Sequence, residues 1–191
     1  MNHLWYVSYG SNMSLERFTC YLEGGTPPGG KRHNPGARDR TPPVRDVGVV
    51  LPGTTYFAID SPQWGGGVAF YDHLTPGRTA ARAYLITPEQ LADVAAQEMY
   101  REPGTNDLAD VAVRPLPDGR HSWGDGHYET LVRVGEHDDL PMLTFTSPIG
   151  VGEIDHVPPS EAYLATMATG IREAHGWPDA DIDSYVAAIR T

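Results

Sequence analysis

The chain has 191 residues, with 25 Asp or Glu against 14 Lys or Arg, so its formal net charge at pH 7 is −11. This excess of negative charge disfavours nucleic acid and anionic membranes as partners, because both attract clustered positive charge. Cys20 is the only cysteine, which excludes an internal disulfide and a cysteine-rich metal site. No apolar run is long enough to span a membrane, and the start lacks the pattern of a secretory signal, so we expect a cytoplasmic protein.

The first predicted element is a buried strand over Leu4–Tyr9, which is aromatic and apolar. A Gly-Ser-Asn turn ends this strand. A short helix is then predicted from about Ser14 to Leu22, because Leu15, Phe18 and Leu22 recur at helical spacing.

Residues 24–45 are rich in Gly and Pro and show no periodicity. A structureless segment of this length is uncommon in a compact domain, where it is usually functional or disordered. We therefore expect either a lid over a site or a mobile excursion. The chain shows no sign of a second domain, so residues 1–191 are predicted to form one domain that carries this segment.

Short strand-like runs follow between turn residues, at positions 47–51, 55–59, 66–71, 82–86, 110–116, 127–134 and 141–146. Their close spacing favours an antiparallel sheet curled toward a barrel over units of alternating strand and helix. Two further helices are predicted at the C-terminal end, the first capped by Ser160. The predicted fold class is α+β, a small, mostly antiparallel, barrel-like sheet flanked by helices.

The helix predicted from Pro88 to about Tyr100 has the clearest start signal. Thr87 suits the N-cap, Pro88 the first helical position, and a Gln follows three residues after the cap. An apolar stripe begins at Leu91, and Glu98 lies on it because it is seven residues, about two turns, further along. The polar residues expected on other sides of the helix are Glu89, Gln90, Asp93 and Gln97.

Glu98 is therefore a carboxylate on a face that points toward the core. Burial of a carboxylate costs several kcal/mol unless the group is neutralised or hydrogen-bonded. A carboxyl group held away from water can both accept and donate a proton near neutral pH. Alternatively, Glu98 lies so near the helix end that it bends out to solvent or pairs with an Arg.

The segment Tyr9–Met13 joins an apolar strand to the start of a helix. Its Gly permits backbone angles that other residues avoid, and successive N–H groups in such a turn can point together. A helix N-terminus adds partial positive charge, so this turn suits a carboxylate or an oxyanion. Taken alone, it is also typical of an ordinary turn in which Ser11 or Asn12 caps the helix.

These residues resemble a known family. Tyr9–Met13 is similar to the Tyr-Gly-Ser-Asn-Leu/Met loop of the γ-glutamylcyclotransferase superfamily. Four further segments resemble parts of that family in the same order: Phe57–Ala69 with its Trp-Gly-Gly, Tyr84–Glu98, the strand with Tyr128, and Pro159–Gly170. Two departures are Met99, where the family commonly has Gly, and the length of the 24–45 segment.

The resemblance implies an enzyme that cleaves a γ-glutamyl amide through attack by the substrate's own α-amine, releasing 5-oxoproline and an amine or amino acid. It implies Glu98 as the general acid/base, no metal or cofactor, and a monomer or homodimer whose partner is a small γ-glutamyl molecule. The implied substrate-binding residues are Tyr9, Gly10, Ser11, Asn12, Met13 and Tyr128. Two alternatives stay open: a non-catalytic module for a small carboxylate, and Tyr128 as an ordinary strand aromatic.

Overall fold

The structure is a computed structural model that describes residues 3–190, and this part of the chain forms eight strands and five α-helices. The strands are β1 (Leu4–Ser8), β2 (Asp46–Leu51), β3 (Thr54–Asp60), β4 (Gly67–Asp72), β5 (Thr79–Ile86), β6 (Arg120–Ser122), β7 (Thr130–His137) and β8 (Leu140–Thr146). The helices are α1 (Leu15–Glu23), α2 (Pro88–Glu98), α3 (Leu108–Ala112), α4 (Glu161–His175) and α5 (Asp179–Ile189).

Six strands form one sheet in the order β2-β5-β1-β8-β7-β6, and β3 pairs with β4 in a separate hairpin. All pairs in the large sheet are antiparallel except β1 with β8. The predicted α+β class with a mostly antiparallel sheet flanked by helices is confirmed. The sheet is open, however, and does not close into a barrel.

The outer strands β2 and β6 of the large sheet do not pair with each other, and the hairpin contacts this sheet where β4 approaches β8. The Thr146 hydroxyl donates to the carbonyl of Tyr71 at 2.9 Å, and the Tyr71 N–H donates to the same hydroxyl at 2.9 Å. The side chain of Thr146 in β8 therefore satisfies both the N–H and the carbonyl of Tyr71 in β4. Alternate residues of the hairpin belong to the two cores on opposite faces of the large sheet, Tyr56 and Phe70 to one and Phe57 and Tyr71 to the other.

Strand β1 lies in the middle of the large sheet, and all five of its residues are buried. Tyr6 and its neighbours on one face belong to the core under α1 and α2. Trp5 and Val7 belong to the core under α4 and α5. Burial on both faces explains why β1 is an uninterrupted apolar run, and it places the turn after β1 at the centre of the molecule.

Helix α4 packs directly against that turn. A Cβ atom at Gly170 would lie 2.3 Å from the carbonyl carbon of Met13, and one at Gly10 would lie 2.8 Å from the Tyr163 hydroxyl. Neither position has room for a side chain, so two glycines allow the helix and the turn to meet.

The start of α2 follows the sequence prediction. The Thr87 hydroxyl accepts the Gln90 N–H at 3.1 Å, and the Gln90 side-chain oxygen accepts the Thr87 N–H at 3.0 Å. This reciprocal pair is the predicted capping box. The predicted start of α4 is also confirmed, because the Ser160 hydroxyl accepts the Tyr163 N–H at 3.3 Å.

The strand predicted at 110–116 is wrong, because this stretch lies at and beyond helix α3. Leu108 and Ala112, four residues apart, are buried on one helical face, whereas Val113 is 40% exposed. The Asn106 side chain accepts the Leu108 N–H at 3.1 Å and so supports the first turn of the helix. The wrong prediction came from the alternation of Val with other residues in this stretch, which is typical of a strand.

The apolar stripe predicted for α1 is displaced by part of a turn. Leu15 is 40% exposed, and the buried face consists of Arg17, Phe18, Tyr21 and Leu22. An arginine therefore occupies a position on the inward face of this helix. The spacing of Leu15, Phe18 and Leu22 predicts a stripe that does not include Arg17.

The segment 24–45 forms neither a helix nor a strand and packs along α2. The Arg38 N–H donates to Asp93 at 2.9 Å, the Gln90 amide donates to the Thr41 carbonyl at 2.9 Å, and the Gly36 N–H donates to Gln97 at 3.3 Å. The polar side chains predicted off the apolar stripe of α2 are thus partly covered by this segment. Three of these residues are between 0% and 5% exposed: Gln90, Asp93 and Gln97.

Candidate functional site

A cavity of about 330 Å³ lies between the turn after β1, helix α1, the end of α2 and the 24–45 segment. It collects residues that are distant in sequence. Among those that line it are Tyr9, Gly10, Ser11, Asn12, Arg17, Tyr21, Arg32, Ile59, Gln63, Glu98, Tyr100, His127, Tyr128 and Tyr163.

Glu98 is the last residue of α2, is half-buried and lines this cavity. Its Oε1 accepts a hydrogen bond of 2.8 Å from Asn12 Nδ2, which also lies 3.3 Å from the Tyr6 hydroxyl. None of the ion pairs within residues 3–190 includes Glu98. The side chain thus neither bends away to solvent nor pairs with an Arg.

Four buried tyrosines lie within the electrostatic reach of Glu98. Burial is the main cause that raises the pKa of Tyr6, Tyr21, Tyr128 and Tyr163, and the negative charge of Glu98 raises each of them further. All four phenols therefore stay neutral at pH 7. They are polar but uncharged groups in the neighbourhood of the carboxylate.

Tyr9 and Tyr128 line the cavity, but their hydroxyl protons are already used. The Tyr9 hydroxyl donates to the Phe145 carbonyl at 2.9 Å, and the Tyr128 hydroxyl donates to the Ala69 carbonyl at 2.8 Å. A phenol has one proton, so toward a ligand each can act as an acceptor or as a ring wall. Tyr128 lies in a turn before β7 and not on the strand where the sequence prediction placed it.

Gly10, Ser11 and Asn12 line the cavity, whereas Met13 does not. Met13 is fully buried in the core beneath α4 and α5, and its N–H donates to the Gly10 carbonyl at 3.1 Å. The turn closes into a short 3-10 helix over Ser11–Met13, which consumes this donor. The prediction of Met13 as a substrate-binding residue is therefore corrected.

Several residues at the cavity were missed by sequence reasoning. Arg17, Gln63 and Tyr163 are at most 5% exposed and line it from three different elements or loops. His127 also lines it, and burial lowers the pKa of this imidazole, opposed by the charges of Glu98 and Glu129. A signal for Arg17 was present, because it lies one turn before Tyr21 on the face that also carries Phe18.

Two residues at the cavity have left-handed backbone angles. Ile59, at the bulge in β3, has φ 59°, and Tyr100, just beyond α2, has φ 57°. Such angles are costly for residues with bulky side chains, by about 1–3 kcal/mol each, and cluster at functional sites. Met99 has φ −92°, so the position after Glu98 does not require Gly in this chain.

Within residues 3–190, no three or more His, Cys, Asp or Glu side chains are grouped so that they could hold a metal ion. Over the same range, no helix is both long enough and apolar enough to cross a membrane.

No family model matches the chain. Among solved structures it is similar to a protein described as gamma-glutamyl cyclotransferase, with a TM-score of 0.56, 15% identity, and coverage of 98% of this chain and 88% of that one. The chain has the γ-glutamylcyclotransferase-like fold. A crystal structure of an uncharacterised human protein is similar to the same degree, with a TM-score of 0.57, 16% identity, and coverage of 99% and 89%.

The cyclotransferase-like fold agrees with the resemblance drawn from the five sequence segments. At 15–16% identity the solved structures establish the fold and not the reaction. Among curated proteins, the chain is 33% identical over 202 positions to "Histone deacetylase 5" of Arabidopsis thaliana. The match covers 96% of this chain but 30% of that protein, so the chain spans less than a third of this relative's length.

Proposed function

We propose that this protein is a γ-glutamylcyclotransferase-type enzyme in which Glu98 is the general acid/base. The observation that supports this most directly is the carboxylate of Glu98 in a cavity, held by Asn12 at 2.8 Å. A protein that only bound ligands would gain little from placing a carboxylate there without a cationic partner. We also propose that residues 1–191 act as one domain and that the substrate is a small γ-glutamyl amide.

The proposed reaction joins the α-nitrogen of the glutamyl group to its own γ-carbonyl carbon. Glu98 takes a proton from the α-ammonium group, which frees the lone pair for attack. A C–N bond forms, Glu98 passes its proton to the leaving nitrogen, and the bond to that nitrogen breaks. The ionised Glu98 then takes the second proton from the attacking nitrogen, which becomes the lactam N–H, and gives it to the released amine. Both protons lost by the attacking amine end on the released amine, so 5-oxoproline forms without an oxidant, a reductant or a cofactor.

The surroundings of Glu98 suit such an intramolecular reaction. A cavity of about 330 Å³ can hold a small amide in a folded conformation, which supplies the proximity that cyclisation needs. The turn of Gly10, Ser11 and Asn12 lies at the same cavity, and its backbone is the proposed partner of the oxyanion that develops on the γ-carbonyl.

The test is Glu98→Gln, which keeps the size of the side chain and removes its ability to take a proton. We expect kcat for 5-oxoproline release to fall by about a hundredfold to ten-thousandfold, while the thermal unfolding temperature changes little. Glu89→Gln is the matched control, because Glu89 is an exposed carboxylate on the same helix. Near-wild-type turnover in Glu98→Gln would show that another group moves the proton.

The alternative is a module that binds a small carboxylate without changing it. The buried Arg17 at the cavity favours an anionic ligand and is compatible with either function. Mass-spectrometric detection of 5-oxoproline from a panel of γ-glutamyl amides separates the two. Tight binding without release of 5-oxoproline from any amide would support the binding module.

A further inference from the structure

Five buried side-chain atoms have no hydrogen-bond partner among residues 3–190. They are Asn12 Oδ1, Arg17 Nε and Nη1, and Gln63 Nε2 and Oε1. All three residues line the cavity that contains Glu98. Buried polar atoms in folded proteins are nearly always paired, so a cluster of unpaired ones at one cavity indicates a ligand that pairs them.

Arg17 is the most informative member of this cluster. It is 5% exposed, and within residues 3–190 no ion pair includes it. Nη2 donates to the Tyr21 hydroxyl at 2.7 Å, which leaves the three N–H groups on Nε and Nη1 without an acceptor. A buried guanidinium without an anion is costly, so its retention here favours an anionic ligand.

The guanidinium is also held in place. Its central carbon lies 4.3 Å from the centre of the Tyr21 ring and 5.8 Å from that of Trp64. The Gln63 amide lies close to Gly30, because a Cβ atom added there would be 2.2 Å from its Nε2. Rigid placement lowers the entropy that binding an anion would otherwise cost.

We propose that Arg17 is the residue that binds the α-carboxylate of the γ-glutamyl substrate, with Gln63 as an additional hydrogen-bonding group. This inference rests on the proposed function, since it assigns one part of the same substrate. The ligand chemistry is a carboxylate, and its two possible sources are the glutamyl half and a leaving amino acid.

The position of Tyr21 favours the glutamyl half. Its hydroxyl is hydrogen-bonded to Arg17, and its pKa is raised mainly by burial and additionally by the charge of Glu98 and a hydrogen bond with it. The Tyr21 side chain therefore links Arg17 to Glu98. In the substrate the α-carboxylate and the α-amine share one carbon, so a carboxylate at Arg17 brings the amine toward Glu98. The turn of residues 10–12 then remains available for the γ-carbonyl.

The experiment compares wild type, Arg17→Gln and Arg17→Lys on three substrates. These are a γ-glutamyl amino acid, a γ-glutamylamine whose leaving group has no carboxylate, and a γ-glutamyl amide whose α-carboxylate is replaced by a carboxamide. Arg114→Gln is the control, because Arg114 is exposed and lies outside the residues that line the cavity.

We expect Arg17→Gln to raise KM about tenfold to a hundredfold for the first two substrates, with a smaller change in kcat, and to leave the carboxamide substrate unaffected. Arg17→Lys should recover part of the loss because it keeps the charge. An unchanged KM in Arg17→Gln would overturn the proposal. A rise in KM for the γ-glutamyl amino acid alone would also overturn the proposal, because Arg17 would then bind the carboxylate of the leaving amino acid.

A binding measurement separates this inference from the proposed function. Wild type should bind 5-oxoproline at least tenfold more tightly than 5-oxoprolinamide, and Arg17→Gln should lose that preference. If no amide is turned over but the preference is present, the proposed function fails and the carboxylate site stands. Equal binding of the two compounds by wild type overturns the site, and this comparison requires no variant to fold.

Discussion

The contact between Asn12 and Glu98 joins the two parts of the chain from which the function is inferred. Asn12 belongs to the turn after β1, and Glu98 ends α2, 86 residues further along. The amide donates to one carboxylate oxygen at 2.8 Å and leaves the other oxygen free of it. Under the proposed function, Asn12 is therefore a positioning residue that fixes the direction in which Glu98 presents its second oxygen.

Asn12→Asp tests this role through the pH dependence of the reaction. The change replaces a donor by a second carboxyl group within hydrogen-bond distance of Glu98, and two such groups share a proton up to higher pH. We expect kcat/KM at pH 7 to fall at least tenfold and the acidic limb of the pH–rate profile to move to higher pH.

Asn12→Ser is the comparison variant, since it loses the amide donor without adding a charge. It should lower the rate without moving the acidic limb. A profile of Asn12→Asp that coincides with that of wild type would contradict a direct contact between the two side chains.

At the scale of elements, helix α2 is buried on more sides than its sequence suggests. Its apolar face packs on the sheet, and its polar side chains hold the 24–45 segment. Asp93 is central, because it accepts the N–H groups of Arg38 and Gly104 at 2.9 Å each and pairs with the Arg38 guanidinium. One carboxylate thus fixes two loops that both approach the cavity.

Asp93→Ala should reduce the free energy of unfolding by about 2–4 kcal/mol, measured by urea denaturation. Most of this loss comes from two backbone N–H groups left without an acceptor, because the Arg38 side chain is 56% exposed and its ion pair is screened by solvent. KM should rise as well, since residues 32–35 of the segment line the cavity. Arg38→Gln should lower the free energy of unfolding by less than about 1 kcal/mol. Equal losses in the two variants would show that the ion pair, and not the two backbone N–H groups, accounts for most of the effect.

The sequence predicted the elements whose signals are local. The Thr87 capping box, the β1 strand and the start of α4 at Ser160 each depend on a few neighbouring residues. The stretch 110–116 was misread because alternation over a few residues does not separate a short helix from a strand.

At the site, the sequence indicated Glu98 and the turn but not Arg17. The position of Arg17 depends on contacts with Tyr21 and Trp64, and Trp64 comes from a loop far along the chain. The burial of Asp93 likewise depends on a segment without periodicity. Local patterns contain no information on such long-range packing.

At the scale of the whole molecule, the core is unusually rich in phenols. Nine of the ten tyrosines have a raised pKa, and in each case burial is the largest cause. The values for Tyr56 and Tyr71 are raised to about 12. Several of these rings stack on one another, as Tyr6 does on Tyr84 and Phe145.

This core predicts steep alkaline unfolding. A tyrosine whose pKa is raised in the folded state ionises more readily after unfolding, so its contribution to stability is complete below pH 10 and is lost as pH rises from 10 toward 12. Each such group lowers the free energy of unfolding by about 1.4 kcal/mol per pH unit in that range. Tyrosinate absorbance and circular dichroism should therefore change together, and tyrosinate formation well before loss of structure would contradict the prediction.

Two walls of the cavity are stabilised differently, one by close backbone packing and the other by contacts between side chains. The turn after β1 is wedged between the central strand and α4, whereas the opposite wall, formed by residues 32–35 and 100–102, depends on side-chain anchors such as Arg32 stacked 4.0 Å over Tyr100. Insertions or exchanges in that wall leave the glycine contacts at Gly10 and Gly170 untouched. Changes in these two stretches therefore alter one wall of the cavity and leave in place the turn and the Asn12–Glu98 contact on which the proposed reaction depends.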